Sequence, residues 1–326
     1  MKYQIGEIVK SDEECFICGS HEVRIVANKG RHFQKLTTAI CTGCGMVHSH
    51  PIPSEDELKN YYKKQYRSDY KSAYQPKKKH IIRYSKNALH RLERLKQFTN
   101  EKSKLLDIGS GSGEFLYAAQ IAGFDVTGIE PHEGYSKYTK DTFGVNVINS
   151  MFQDANVENE SYDIITLHHV LEHLQKPLTA LASISKWLKF DGILVIDVPD
   201  IEHTSHSPTN RFHYAHIYNF NYETLKALLT KAGFEVISHP SNQAGTILAA
   251  KKVREADFNM QISMPENYAK LWQLFSEGFK AKNYKKKNRL VRMYNKLVRY
   301  TKEFFVGLFL DDRKNIVEKE LQKLAV

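Results

Sequence analysis

Three histidines and a glutamate fall close together in "TLHHVLEHLQKP", residues 166–177. If the chain is helical here, His169, Glu172 and His173 lie at i, i+3 and i+4, on one face of the first turn. Imidazole and carboxylate groups at this spacing can bind a metal ion, and one imidazole can act as a general base near neutral pH. Ordinary helices show the same spacing, so the preceding sequence must decide between these roles.

A glycine-rich turn follows an apolar run in "KLLDIGSGSGEFL". Gly109, Gly111 and Gly113 allow a sharp turn and a close approach of the backbone to a ligand at the start of a helix. A turn that binds NAD would have glycine where this chain has Glu114. Glu130 ends the next apolar run about 20 residues later, where a carboxylate can accept both hydroxyls of a ribose. The turn therefore does not favour NAD.

All four cysteines lie within the first 44 residues, in two CxxC pairs that are each followed by glycine. The pairs are Cys15 with Cys18 and Cys41 with Cys44. Four thiolates satisfy tetrahedral Zn²⁺, and the glycines let the backbone turn around the sulfur atoms. We predict a zinc ribbon over residues 1–52. The alternatives are two disulfides or unrelated thiols, which the absence of an apolar secretory segment near the start disfavours.

The remaining pattern predicts an α/β fold. Over residues 104–252, short apolar runs alternate with helical patterns, which is typical of a parallel sheet covered by helices. The candidate strands are "KLLDIG", "FDVTGIE", "VNVIN", "YDIITLH", "GILVIDVP", "FEVIS" and "GTILAAK". We predict a Rossmann-like sheet of seven strands with helices on both faces. Residues 53–103 form a helical linker or lid, in which Ser54 and Glu57 are spaced as a capping box.

Three motifs together carry a family resemblance: Asp107 with the glycine turn, Glu130, and "DIITLHHVLEHL". In this order they resemble class I S-adenosylmethionine-dependent methyltransferases, over about residues 104–251. The resemblance implies that S-adenosylmethionine is the cofactor. It also implies that the turn lines the methionine and ribose, that Glu130 holds the ribose hydroxyls, and that Met151 and Phe152 lie beside the adenine. Its cofactor residues are Asp107, Gly109, Ser110, Gly111, Gly113, Glu130, Met151, Phe152 and His168.

The resemblance also bears on the histidines. Ligands of open α/β sheets lie outside the carboxyl ends of the strands, so His169, at the end of the fourth strand, is expected to face the methyl acceptor. We predict that His169 is the general base, and His216 matches a second histidine that the family often has. Glu172 and His173 are expected to tie the start of the helix to neighbouring loops. The alternative is a metal ion held by His169, Glu172 and His173, as in metal-assisted O-methylation of a quinone-like ring.

A looser resemblance concerns the acceptor. Cysteine knuckles followed by "HPIPSEDELKNYY" are similar to methyltransferases of sugar and surface-polysaccharide biosynthesis. This implies O-methylation of a sugar, nucleotide-sugar or glycan precursor. Ribosomal RNA is another alternative, because the cysteine pairs also resemble the amino-terminal zinc ribbon of some RNA methyltransferases. The basic segment 59–104, where Lys and Arg outnumber Asp and Glu 15 to 3, permits this alternative. Over residues 105–250 they are outnumbered 8 to 17, which disfavours nucleic acid.

Residues 253–326 are predicted to form a basic helical tail. An apolar stripe and a basic stripe recur at helical spacing between residues 290 and 305. The apolar stripe can dock on protein, including a second copy of the chain in a homo-oligomer. The alternative is peripheral contact with the inner membrane face. The longest apolar run, "FFVGLFL", is too short to span a membrane, and we expect a cytoplasmic protein.

Overall fold

The computed structural model describes most of the chain and divides it into two compact units. The described residues are 3–61, 76, 78–99, 102–202, 211–239, 245–278, 294, 297–298, 300–301 and 313–322. The first unit comprises Met1–Asp69 and Leu167–Tyr284. The second unit comprises Tyr70–Thr166 and Lys285–Val326.

The cysteines lie beside a five-stranded antiparallel sheet in the first unit; Cys41 ends a strand, and the other three cysteines are in turns between strands. The strands of this sheet are β1 (Ile8–Lys10), β2 (Glu22–Lys29), β3 (Lys35–Cys41), β4 (Val47–Ser49) and β10 (Tyr218–Asn219), in that spatial order. Apolar residues of β2, β3 and β4 are buried together with Phe212, Leu271 and Phe275. The strand β10 and these three side chains come from far along the sequence, so the ribbon sheet is completed by later parts of the chain.

A second sheet has seven strands, which confirms the predicted fold. They are β5 (Lys104–Ile108), β6 (Asp125–Ile129), β7 (Asn146–Ile148), β8 (Tyr162–His168), β9 (Leu188–Pro199), β11 (Phe234–Ser238) and β12 (Gly245–Lys252), in the order β11-β12-β9-β8-β5-β6-β7. The strand β6 pairs in parallel with β5 and β7, whereas β12 is antiparallel to β9 and β11. The sheet is therefore mixed, whereas the sequence pattern was typical of a parallel sheet. The segment between β11 and β12 has too few residues for a parallel crossover.

Eight helices lie in the described part of the chain. They are α1 (Glu55–Tyr61), α2 (Lys78–Leu95), α3 (Glu114–Ile121), α4 (Glu133–Phe143), α5 (Pro177–Trp187), α6 (Tyr222–Lys231), α7 (Pro265–Gly278) and α8 (Arg313–Gln322). The capping box before α1 is confirmed, because Ser54 and Glu57 exchange backbone-to-side-chain hydrogen bonds of 2.8 and 3.2 Å. In α2 the buried apolar residues recur at helical spacing; they include Ile81, Ile82, Leu89, Leu92 and Leu95.

The final helix packs inside the second unit. Ile316 and Val317 of α8 are buried, and Ile316 packs against Ile81 and Ile82 of α2. The hydroxyl of Tyr117 donates a hydrogen bond to Glu318. Most of the predicted amphipathic tail lies outside the described residues, so its docking on protein or membrane stays a prediction. Among the residues with a described position, no helix is long and apolar enough to cross a membrane.

Candidate active site

The glycine turn after β5 has the backbone conformation that its sequence predicts. Gly109, Gly111 and Gly113 have φ angles of 73°, 57° and 83°, in the left-handed region that glycine adopts without strain. The amide groups of Gly109 and Ser110 donate to the carbonyl of Ile129 at 2.8 and 3.1 Å. A Cβ atom at Gly111 would meet no other atom within 4 Å. The turn is therefore fixed to β6 and has open space beside its backbone.

Glu130 is joined to this turn through its carboxylate. Its Oε2 accepts a hydrogen bond from the Gly111 amide and its Oε1 accepts one from the His132 amide, both at 2.8 Å. Each carboxylate oxygen has a further lone pair, so both remain able to accept a hydroxyl. Burial raises the pKa of Glu130 to about 7, although the two amide groups oppose this shift. The geometry suits a carboxylate that binds a diol beside the turn.

The other predicted cofactor residues of the second unit differ in their environments. Asp107 is buried and accepts a hydrogen bond of 2.7 Å from the Thr166 hydroxyl, which supports a role in fixing the turn. Burial raises the pKa of Asp107 to about 6. The Oγ atom of Ser110 is buried and has no hydrogen-bond partner among the described residues. Phe152 is buried, but Met151 is 46% exposed and is the more accessible of the two.

If Glu130 holds a ribose, as the resemblance implies, the affinity for S-adenosylhomocysteine should depend on pH. Two ribose hydroxyls that donate to the ionised carboxylate would favour its ionisation, so the affinity should increase with pH as Glu130 titrates near pH 7. Between pH 6 and pH 8 the increase should be about tenfold. Glu130→Gln should remove most of this dependence and weaken binding by about 1–3 kcal/mol. Calorimetric titrations at several pH values measure both effects, and equal affinity at pH 6 and 8 in the wild type would exclude this role.

The histidines after β8 lie in a turn rather than an α-helix. His169 has a φ angle of 57°, and its amide donates to the carbonyl of Asp197 at 2.8 Å. Only a short 3₁₀ segment, Leu171–His173, follows, and α5 begins at Pro177. The α-helix considered for this segment is therefore not formed. The bond to β9 holds His169 in a left-handed conformation that an α-helix excludes, and proline suits the first position of α5.

Glu172 is a buried carboxylate surrounded by imidazoles. Its Oε1 lies 3.5 Å from His169 Nδ1 and 3.8 Å from His173 Nε2. Burial alone would raise the pKa of Glu172, but His169, His173 and His216 together hold it below its usual range. Glu172 is therefore ionised near neutral pH. The half-exposed ring of His169 thus has one nitrogen next to a fixed negative charge.

His216 joins this group from far along the sequence. Its ring lies 4.9 Å from that of His173, whose Nδ1 donates to the carbonyl of Ala215 at 2.7 Å. Burial lowers the pKa of His216 to about 3, so its imidazole is neutral. Potential ligand atoms of Glu172, His173 and His216 all lie within 4.8 Å of one another. The group of residues that could bind a metal ion thus contains His216, whereas the sequence spacing had suggested His169.

Sequence reasoning did not single out Asp197. Its Oδ2 lies 3.8 Å from His168 Nδ1 and 3.9 Å from His169 Nε2. The available signal was an acid within the apolar run "GILVIDVP" of β9. His168, predicted to contact the cofactor, has a nearly buried side chain facing this carboxylate.

The four cysteines converge on one point in the first unit. The Sγ atoms of Cys15 and Cys44 are 3.5 Å apart, those of Cys18 and Cys41 are 3.4 Å apart, and all four lie within 4.8 Å of one another. Tetrahedral Zn²⁺ with Zn–S bonds of 2.3 Å separates its sulfur atoms by about 3.8 Å. Hydrogen bonds from the other three thiols, that of Cys15 most strongly, lower the pKa of Cys41. The donor set and its spacing fit a zinc ion.

Comparison with known proteins defines the part of the chain that includes the turn and the histidines. Residues 79–239 match the family model described as a methyltransferase domain. This segment is similar to the methyltransferase domains that the family model describes. The matched segment contains the glycine turn, Glu130, the histidines after β8 and His216.

Curated relatives and solved structures also match the chain. The ubiquinone biosynthesis O-methyltransferase of Photobacterium profundum is 32% identical over 96 residues, which are 27% of this chain and 40% of the relative. The protein of the same name from Haemophilus ducreyi is 31% identical over 103 residues, 28% of this chain and 44% of the relative. The chain thus spans less than half the length of these relatives. A SAM-dependent methyltransferase from Archaeoglobus fulgidus has a TM-score of 0.44 and 21% identity, over 52% of this chain and 94% of that one.

Proposed function

We propose that the whole chain is an S-adenosylmethionine-dependent O-methyltransferase in which His169 is the general base. The observation that carries this proposal is the environment of His169. Its ring is 50% exposed, and its Nδ1 lies 3.5 Å from the ionised carboxylate of buried Glu172. A proton on Nδ1 facing Glu172 leaves Nε2 unprotonated and able to accept a proton from an acceptor hydroxyl.

The proposed reaction assigns a task to each group. Bound S-adenosylmethionine would supply an electrophilic methyl group on its sulfonium. After the methyl group is transferred, S-adenosylhomocysteine is the leaving group. Glu130 and the glycine turn hold the ribose and methionine portions of the cofactor. His169 Nε2 takes the acceptor proton as the oxygen attacks, and Glu172 stabilises the resulting imidazolium. Such proton removal contributes about 10²–10⁴-fold, because a neutral hydroxyl is a poor nucleophile.

A sugar or glycan precursor is the acceptor class we favour. Support comes from the cysteine cluster ahead of the methyltransferase domain and from the polar aromatic surroundings of the histidines. Tyr61 and Tyr214 lie with ring centroids 4.9 Å apart, and the ring of His213 is 5.4 Å from that of His216. Aromatic faces with hydroxyl and imidazole groups suit a polyhydroxylated ligand. Incubation with S-adenosylmethionine and a panel of nucleotide-sugars, quinols and RNA tests the acceptor class through the methylated product.

Metal-assisted O-methylation of a quinol-like acceptor is the second candidate. It is favoured by the Glu172, His173 and His216 cluster, and the curated relatives are named for ubiquinone biosynthesis. A divalent cation there would lower the pKa of the acceptor hydroxyl directly.

Removal of weakly held divalent metal separates the two candidates. Because our first candidate uses no metal at the histidines, dialysis against a chelator that leaves the cysteine cluster intact should change turnover less than twofold. A loss of turnover that magnesium restores, and that His216→Gln abolishes without unfolding the protein, would support the metal-assisted candidate. Zinc content measured before and after dialysis is the control.

We also propose that the cysteine cluster binds structural zinc through Cys15, Cys18, Cys41 and Cys44. The knuckles are held by other parts of the first unit: Asn267 Nδ2 donates to the Cys44 carbonyl at 2.9 Å, and Lys231 Nζ donates to the Phe16 carbonyl at 2.7 Å. Four protein ligands leave no open position on the ion, so the expected role is structural rather than catalytic.

A further inference from the structure

The spacing between His169 and Asp197 bears on the kind of acceptor. His169 Nε2 and Asp197 Oδ2 are 3.9 Å apart, which is wider than a direct hydrogen bond. The Asp197 side chain is 14% exposed and that of His169 is 50% exposed, so neither side chain is fully closed off from solvent. Two hydrogen-bond acceptors at this separation can each take one of two hydroxyls that stand side by side on a ring.

The backbone fixes this spacing. The amide of His169 donates to the carbonyl of Asp197 at 2.8 Å, which ties the turn directly to β9. On the neighbouring strand β12, a Cβ atom at Gly245 would lie 2.9 Å from Asp197 Oδ1. Glycine at this position therefore leaves room for the carboxylate in its observed orientation. Ile196 and Val198, on either side of Asp197 in β9, are buried, so the strand itself is held by apolar packing.

We propose that Asp197 binds the hydroxyl adjacent to the one that is methylated, so that the acceptor is a vicinal diol. This inference rests on the proposed function, because it takes His169 as the base for the reacting hydroxyl. An ionised carboxylate only accepts hydrogen bonds, so the adjacent oxygen must carry a hydrogen. An acceptor that is deoxygenated or already an ether at that position should bind poorly. Sugar cis-diols and catechols share this chemistry.

Binding of small diols tests the inference without knowledge of the physiological acceptor. Catechol is compared with phenol, which has no adjacent hydroxyl. Methyl α-D-mannopyranoside is compared with its 2-deoxy analogue, which loses the cis 2,3-diol and keeps only the trans 3,4-diol. Saturation-transfer NMR with the full chain and S-adenosylhomocysteine measures binding. We expect at least one diol to bind about tenfold or more tightly than its analogue. Equal binding within both pairs, or no binding of either diol, would overturn the proposal.

Variants locate the preference on Asp197. Asp197→Asn, which keeps the size and removes the charge, should weaken binding of the preferred diol about tenfold or more and leave the analogue unchanged. The matched control is Asp191→Asn, on the same strand, where an exposed carboxylate pairs with Lys251 at 3.0 Å. Unchanged affinity for S-adenosylhomocysteine shows that the variants are folded. Equal losses for the diol and the analogue would assign Asp197 a structural role instead.

The source of the diol and the proposed reaction are read separately. Selective binding of catechol points to an aromatic acceptor, and selective binding of the mannoside points to a sugar. Diol selectivity that depends on Asp197, without methyl transfer to any acceptor, supports the diol site and contradicts the proposed function. Methyl transfer that requires His169 but is equal for diol and analogue supports the proposed function and contradicts the diol site.

Discussion

His169→Gln is expected to lower kcat by about 10²–10⁴-fold, the contribution of a positioned general base. The proton of the acceptor hydroxyl would then have no imidazole to receive it, whereas the groups that hold the cofactor are unchanged. Affinity for S-adenosylhomocysteine should therefore stay within about twofold of the wild type. Steady-state kinetics together with calorimetric titration of S-adenosylhomocysteine measure the two effects.

Two features of the structure sharpen this experiment. His169 has a φ angle of 57°, so the native histidine and a glutamine at this position carry the same kind of backbone strain. Glutamine also keeps a polar side chain of similar length. The matched control is His90→Gln, because His90 is an exposed histidine of α2 whose Nδ1 lies 3.3 Å from Glu93 and which has no assigned part in proton transfer or cofactor binding. Turnover of His169→Gln close to that of the control would contradict the role of His169 as the base.

Cys44→Ser is expected to remove bound zinc and to destabilise the protein. The wild type should contain about one zinc per chain, and the variant close to none. Cys44 is completely buried in the turn between β3 and β4. Loss of a structural metal is one of the few single changes that cost on the order of 4 kcal/mol or more. Metal analysis and thermal unfolding measure both consequences.

His21→Gln is the control for Cys44→Ser. His21 lies near the first knuckle, where its Nδ1 is 3.2 Å from the carbonyl of Ser11, and it is exposed. This variant should keep its zinc and its melting temperature. A wild-type protein with no zinc and four titratable thiols would contradict the zinc site.

Local sequence signals were sufficient for most of the second sheet. Each predicted strand of the methyltransferase sheet is an apolar run bounded by polar or glycine residues, and each forms a strand. The turn glycines and Glu130 could be assigned because their geometry depends on neighbours within a single βαβ unit. The cysteine cluster was predictable for a similar reason, since the two cysteines of each pair are close in sequence.

The histidine site was less predictable because its members meet only through tertiary structure. Periodicity suggested a helical face with His169, Glu172 and His173. A bond from the His169 amide to β9 prevents that helix, and the chain instead brings His216 to Glu172 and His173. The place of Asp197 beside His169 likewise depends on the pairing of strands. An acid in an apolar strand was visible in the sequence, but its partner was not.

We expect this chain to transfer the methyl group of S-adenosylmethionine to a hydroxyl with the help of His169. The most direct measurement incubates the protein with methyl-¹³C-labelled S-adenosylmethionine and a small-metabolite extract of the cells that produce it. Carbon-13 NMR should show a new O-methyl resonance in amounts equal to the S-adenosylhomocysteine formed, and His169→Gln should abolish it. A label on carbon or nitrogen, an O-methyl product that His169→Gln still makes at the wild-type rate, or no labelled product would contradict the account.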